Sequence, residues 1–230
     1  MITIPATPLA DEAQIEAALA EPSTRVVSKK SMLRRLATEP RFLMRAVRFA
    51  ARIPTPLRSR CRFALEQIIL PHYAALKNRG SVVFVGCDYY TWHYARMFRH
   101  HDYMTIDPEP KKIAFGASRH FVDGIQNIAQ YVEPSSIDTI ICNGVLGFGV
   151  NTLEQANASF QACRDVLRPG GELVIGWNDG PNERPFALEE VDALQSFERI
   201  AFRPIGQKVL RVPTSYSYAY EFFAKPVLAS

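Results

Sequence analysis

The sequence predicts an α/β protein, a sandwich around a mostly parallel sheet that ends in an antiparallel strand, with a helical extension ahead of it. Three observations carry this expectation. The apolar run Ser81-Val-Val-Phe-Val breaks at Gly86 and passes at once into a helical pattern, which reads as strand, tight turn and helix N-terminus. A second short apolar run, Tyr103-Met-Thr-Ile, ends in Asp107 about 20 residues on, the spacing at which an open α/β sheet sets a carboxylate beside a ribose. Strand and helix patterns then keep alternating, as parallel strands joined by crossovers require.

In chain order, residues 11–20 and 30–52 read as helices. Thr55 followed by Pro56 has the form of an N-cap with proline at the first helical position, opening a helix that runs through Leu70 and meets Pro71. The expected division is a helical extension over 1–78 and a sheet domain over 79–230. Beyond Asp107, His120-Phe-Val-Asp123 reads as a third strand edge and Ile137-Asp-Thr-Ile-Ile-Cys-Asn143 as a buried fourth strand. Asn151-Thr-Leu-Glu154 opens a capped helix with an apolar stripe of Leu153, Phe160, Cys163 and Leu167. Leu167-Arg-Pro-Gly-Gly-Glu-Leu-Val-Ile-Gly-Trp177 gives a helix end, a turn and a fifth strand. A helix over 188–194 and strands over 197–202 and 216–223 complete the pattern.

The ordered set Phe84-Val-Gly-Cys, Ile106-Asp-Pro, Val122-Asp-Gly-Ile, Ile140-Ile-Cys-Asn-Gly-Val and Leu167-Arg-Pro-Gly-Gly-Glu-Leu resembles the class I S-adenosylmethionine-dependent methyltransferases. The likeness spans roughly residues 80 to 225, and the Arg-Pro-Gly-Gly turn in register with the acidic residues is its most specific element. It implies a Rossmann-like sandwich, S-adenosylmethionine as cosubstrate, and N-terminal helices that cap the site. It further implies that Gly86, Cys87, Asp88 and Tyr89 form the turn around the ligand, that Asp107 and Pro108 meet its ribose, and that Asp123, Gly124 and Ile125 meet its adenine. It implies as well that Asn143, ending the fourth strand, is the family's catalytic or substrate-facing polar residue, and that Asn143 and Gly144 also meet the ligand. Each has a plainer explanation as well: Asp107 as a cap, Asp123 before Gly124 as a surface turn, Asn143-Gly144 as a turn dipeptide.

The departures from the family are equally specific. The acid usual two residues before the first glycine is Phe84 here, and the next two glycines are Asp88 and Tyr90. One reading makes Asp88 a substitute partner for the ligand's ammonium group. Tyr89, Tyr90 or Trp92 offers a ring to the sulfonium, where cation–π attraction is worth roughly 0.5 to 2 kcal/mol. Packing on the sheet is the alternative for Trp92 and Tyr94, and loss of the pocket is a third reading. Trp177, Asn178 and Asp179 leave the fifth strand at its C-terminal end, where Trp177 would wall the site and Asn178 or Asp179 orient a nucleophile; a rim core residue and a loop are the alternatives. His93 is a candidate base or a structural histidine, and no histidine has metal-ligand spacing.

Of the 230 residues 47% are hydrophobic, enough for a real core, and the net charge is only +4. The charge is unevenly spread: between Arg25 and Arg62 twelve Lys or Arg stand against the single acid Glu39, while the rest of the chain carries 15 basic and 22 acidic residues. Arg41, Arg45, Arg48 and Arg52 share one helical face, opposite Phe42, Leu43, Val47 and Phe49. That stripe reads first as a solvated face; its sharper readings are an acidic carrier protein or a phosphorylated substrate. Nucleic acid ranks last, because no aromatic residues interleave the stripe. Cys61, Cys87, Cys142 and Cys163 form no C-x-x-C pair, the start has no basic-then-apolar leader pattern, and no window of about 18 apolar residues occurs. A cytoplasmic protein with reduced cysteines, off the membrane, is the expectation.

Three functions follow. The first is methyl transfer from S-adenosylmethionine to a small-molecule acceptor. The second keeps the ligand but breaks another bond: attack at the aminocarboxypropyl carbon, as in nicotianamine synthases or in azetidine-2-carboxylate synthases, where the ligand is sole substrate and methylthioadenosine leaves. The third is a non-catalytic binding module.

Overall fold

The structure, a computed structural model, describes residues 44, 47–55, 59–76, 80–181, 184–214 and 217–227. Two compact units are present, Met1–Ser59 and Arg60–Ser230. In the first unit, residues 44 and 47–50 are helical, and the expected helix over 11–20 and most of that over 30–52 lie outside the described residues. The helix ends where Arg52 turns left-handed (φ 55°), with its N–H on Phe49 O at 3.0 Å and its guanidinium over the Phe49 ring at 5.6 Å.

The second unit opens with a helix of three parts: α1 (Arg60–Ala64), a π-helical turn (Leu65–Ile69) and α2 (Leu70–Ala75). This helix was expected to stop at Pro71; it continues because the π turn moves the bonding pattern just ahead of the proline, the N–H of Leu70 reaching Leu65 O. A wider turn relieves the clash and missing donor that proline brings to an α-helix. Ala64, Leu65, Ile69, Leu70 and Tyr73 pack with Val82, Phe84, Ile141, Val174 and Phe222 in one buried cluster. The boundary expected at 78/79 therefore moves to 59/60: this helix belongs to the sheet.

The strands are β1 (Ser81–Val85), β2 (Asp102–Ile106), β3 (Arg119–Phe121), β4 (Ile137–Asn143), β5 (Leu167–Asn178), β6 (Glu198–Arg199), β7 (Val209–Val212) and β8 (Tyr218–Ala224). Their order is β3-β2-β1-β4-β5-β8-β6, with β7 also on β8. The first five are parallel neighbours, and β8 pairs antiparallel with β5, β6 and β7. The chain leaves β1 toward β2 and β3 and returns to the other side as β4, so a crevice opens at the C-terminal ends of β1 and β4. At the opposite end Asp138 accepts from the Ser81 N–H (2.9 Å) and Oγ (2.8 Å) and pairs with Arg168.

On the second face of the sheet α4 (Leu153–Val166) buries Phe160, Cys163 and Val166 against Ile140, Cys142, Leu173 and Ile175; its Thr152–Gln155 capping box fits the expected start, while Leu153 is exposed. Helix α3 after β1 is only Tyr94–Met97, and the crossovers after β2 and β3 are 3₁₀ turns, Pro110–Phe115 and Ile125–Gln130. The helix expected over 188–194 is two 3₁₀ turns, Leu188–Glu190 and Asp192–Ser196, because the fully buried Val191 stands between them in an extended conformation. The strand expected over 197–202 joins β8 only through β6 and the Ile200 N–H on Phe222 O, and its end, Phe202, bridges to Gln207; the chain then rejoins β8 as β7, which the pattern had not indicated. Among the described residues no helix is long and apolar enough to cross a membrane.

Candidate functional site

Three turns meet at the crevice. Gly86, directly after β1, has φ +86°, a conformation that other residues adopt only under strain, and its N–H bonds Ile106 O at 3.0 Å. Asp107, directly after β2, is buried; one carboxylate oxygen accepts the Cys87 N–H at 2.7 Å and the other the Glu109 N–H at 2.9 Å. The acid thus staples the turn after β1 to the turn after β2, and each oxygen retains a lone pair. Burial first and then Asp107 push the Cys87 thiol up to about 12, so it is no nucleophile at neutral pH. Pro108 is exposed on the rim.

The substituted glycine loop is well ordered by its own partners. Asp88 accepts the Tyr89 N–H at 2.6 Å and pairs with Lys112 at 2.5 Å, while its backbone N–H donates to Thr91 Oγ1 at 2.9 Å. Tyr90 lies under the Arg62 guanidinium at 4.5 Å and edge-on to Tyr89 at 5.0 Å. Each bulky replacement for glycine is therefore held by a cation from another element. Burial, opposed by Arg62, pushes the Tyr90 phenol up to about 12. Arg62 donates to Tyr94 Oη at 2.8 Å, Tyr94 donates to Glu66 at 2.6 Å, and Tyr220 donates to Cys61 O at 2.8 Å. Burial raises Glu66 against the pull of Tyr94 and Arg62, and burial lowers His93, helped by Arg62 and Arg96. Trp92 is buried with Arg96 over its ring at 5.0 Å, and Tyr94 packs edge-on to Phe84, the packing alternative for both.

Asp123, beyond β3, accepts Asn127 Nδ2 at 2.8 Å, Tyr131 Oη at 2.9 Å and the Gly124 N–H at 2.7 Å, which together hold its carboxyl below the usual range. It stands just ahead of the 3₁₀ turn that begins at the buried Ile125, and its bonds to Gly124 and Asn127 are those of the surface-turn explanation.

Asn143 ends β4, and its Oδ1 accepts Tyr218 Oη at 3.1 Å. The facing position on β5 is Gly176, where a Cβ would come within 2.6 Å of that Oδ1. Gly144 has φ +65°, and its N–H bonds Gly176 O at 2.8 Å. Tyr218 and Gly176 were missed from the sequence; a glycine inside an otherwise buried strand is the one signal that pointed to a close approach there. Asn178 is paired with Tyr218 in register and shares this face of the sheet. Trp177 alternates to the other face, where it is buried in the core with Phe186 and Ile175. The structure thus brings Asn143, Asn178 and Tyr218 to one side of the rim and leaves Trp177 off it. Asp179 is taken by Arg211 (2.8 Å) and Ser217 (2.6 Å).

Strand order, the left-handed glycine after β1 and the buried acid after β2 together decide the fold. It is that of the class I methyltransferases. The N-methyltransferase NodS from Bradyrhizobium japonicum WM9 has a similar structure (TM-score 0.54, 15% identity, 72% of this chain and 97% of that one) and has also been solved with S-adenosyl-l-homocysteine. An S-adenosylmethionine-dependent methyltransferase from Methanosarcina mazei (TM-score 0.53, 14% identity, 70% and 98% covered) and the PH0226 protein from Pyrococcus horikoshii OT3 (0.52, 13%, 91% and 98%) are similar too. No protein-family model matches the sequence, and a search of curated proteins finds no match.

Proposed function

We propose that the protein is an S-adenosylmethionine-dependent transferase that methylates a small-molecule acceptor. One observation carries the reading: the Gly86 turn and the buried Asp107 carboxylate stand together at the point where the sheet order reverses, with Asn143 at the end of the neighbouring β4. These residues fit the ligand. Asp107 retains lone pairs for the two ribose hydroxyls, Gly86 leaves the backbone open to close approach, and a Cβ at Gly144 would meet open space. S-adenosylmethionine supplies an electrophilic methyl group on a sulfonium; the chain has only to bind, orient and exclude water. Asn143, its rotation pinned by Tyr218, orients the incoming nucleophile without taking a charge.

The experiment is to titrate the full chain with S-adenosylhomocysteine and then incubate it with S-adenosylmethionine alone. Tight binding without turnover, and methylation once small-molecule acceptors are supplied, is the expected result. Methylthioadenosine with a cyclic amino acid would replace methyl transfer by intramolecular cyclisation. Absence of any binding would leave a module that does not use this ligand. We further propose a cytoplasmic setting, in keeping with four free cysteines, and an acidic carrier protein as the partner of the basic N-terminal helix. The covering role proposed for the N-terminal extension predicts that deleting residues 1–52 abolishes turnover while S-adenosylhomocysteine still binds.

A further inference from the structure

We propose, on the reading of the crevice as an S-adenosylmethionine site, that Asp179 is a positioning residue for the transfer. It holds Ser217 in a left-handed conformation, and that conformation keeps Tyr218 against Asn143. Asp179 follows β5 and Ser217 precedes β8, one step beyond the facing pair Asn178 and Tyr218. Ser217 has φ +43°, which a residue with a Cβ adopts only at a cost. Bonds to Asp179 offset it. Ser217 Oγ donates to Asp179 Oδ1 at 2.6 Å, and the Asp179 N–H donates to Ser217 O at 3.1 Å. Arg211 of β7 donates to Asp179 Oδ2 at 2.8 Å. The Asp179 side chain is 10% exposed and that of Arg211 68%, so the carboxylate lies inside the junction of the three strands and the arginine closes it from outside.

Tyr218 is the first residue of β8, and strand ends fray. The bonds through Asp179 carry the β5–β8 ladder one residue further, so Tyr218 stands within it and not at its end. Without them Ser217 relaxes out of the left-handed region, its carbonyl leaves the Asp179 N–H, and Tyr218 becomes the loose terminal rung. The Tyr218 hydroxyl meets Asn143 Oδ1 at 3.1 Å, already long for an O–H donor, so a small displacement of the ring breaks the bond. Asn143 then turns freely and no longer orients the nucleophile. The Gly86 turn and the Asp107 carboxylate stand after β1 and β2, away from this junction. Loss of Asp179 therefore falls on the rate of transfer and spares the binding of the adenosyl ligand.

Two replacements of Ser217 separate this role from a plain loss of stability. Ser217→Ala loses the Oγ bond and keeps the strain, whereas Ser217→Gly loses the same bond but takes the left-handed conformation at little cost. Asp179→Ala and Ser217→Ala should each lower turnover of the full chain about tenfold or more, with S-adenosylhomocysteine affinity kept within about twofold. Ser217→Gly, alone or added to Asp179→Ala, should bring turnover back to within about threefold of wild type. Turnover is read with a small-molecule acceptor that the wild-type chain methylates, and affinity by calorimetry. Proton–nitrogen correlation NMR of the Asn143 side-chain amide reads the same geometry with no acceptor present. Its signals should move in Asp179→Ala and Ser217→Ala toward their positions in Tyr218→Phe, and stay in place in Ser217→Gly. If Asp179→Ala does not fold, the two Ser217 variants decide. An unmoved amide in Ser217→Ala, a Ser217→Gly chain as slow as Ser217→Ala, or parallel losses of rate and affinity would overturn the positioning role and leave Asp179 a staple between strands. Failure of the wild-type chain to bind S-adenosylhomocysteine would instead overturn the site reading, and the amide signals would still tell whether Asp179 holds Asn143.

Discussion

Replacing Asp107 by Ala should do two separable things. In the free protein it deprives the Cys87 and Glu109 amides of their acceptors at 2.7 and 2.9 Å. An amide left unsatisfied in a buried setting costs about 1–3 kcal/mol, and Glu109 is exposed enough for water to replace its acceptor, so a loss of about 1–4 kcal/mol is expected. For a folded unit of this size that corresponds to a drop in melting temperature of roughly 2–16 °C. In the complex it also removes two charge-assisted hydrogen bonds to the ribose, each worth about 1.5–3 kcal/mol, which together lower affinity by a factor of about 10² to 10⁴. Thermal melts without ligand measure the first effect. Calorimetric titration with S-adenosylhomocysteine, run well below the variant's melting point, measures the second. A lowered melting point with an unchanged dissociation constant would refute the ribose role and leave Asp107 as a loop staple only.

Other expectations concern the domain boundary, the rim and the buried carboxylate of β8. A chain beginning at residue 60 should fold alone, whereas one beginning at 79 should not: it loses the buried Leu65, Ile69, Leu70 and Tyr73, worth about 1.5–3 kcal/mol each, a sum comparable with a whole domain's stability. Circular dichroism and urea unfolding of the two truncations decide this. Asn143→Ala should lower turnover far more than S-adenosylhomocysteine affinity, with Tyr218→Phe a milder copy of it; equal losses in rate and binding would make Asn143 an ordinary ligand contact. Glu221 is buried on β8 beside Arg199 at 3.2 Å, and burial raises its carboxyl against the pull of that arginine. A raised folded-state value means that its contribution to stability is present below the ordinary carboxylate range and is lost as pH climbs through the raised value. The stability gap between Glu221→Gln and wild type, measured by urea unfolding, should therefore move in the variant's favour from about pH 5 to pH 8; a constant gap would refute it.

What could be read from the sequence was what local chemistry determines. Gly86 and Asp107 announce themselves because a turn glycine and a strand-end acid sit beside the apolar runs they terminate, and β4 matched its expected range because four of its seven residues are β-branched. Asn143 was legible as a position but not as a hydrogen-bonded group, since Tyr218 lies 75 residues away and only strand register brings it near. For Trp177 the choice between a wall of the site and a rim core residue was left open for the same reason: which face a strand residue takes depends on its parity against neighbours that the sequence does not order. Lys112 could not be linked to Asp88 without knowing that the crossover after β2 collapses into a 3₁₀ turn. The helix through Pro71 escaped because a π turn, with its bonds displaced by one residue, leaves no compositional trace.

The borders of the sheet bear on how copies of this protein can associate. One border is β3, three residues long; the other is divided between β6, two residues, and β7, four residues, with the loop between them leaving the ladder. Neither offers the long, flat row of unpaired amides and carbonyls that a second chain needs in order to add a strand. Self-association through a continuous intermolecular sheet is thereby disfavoured at both borders of the sheet that the described residues form.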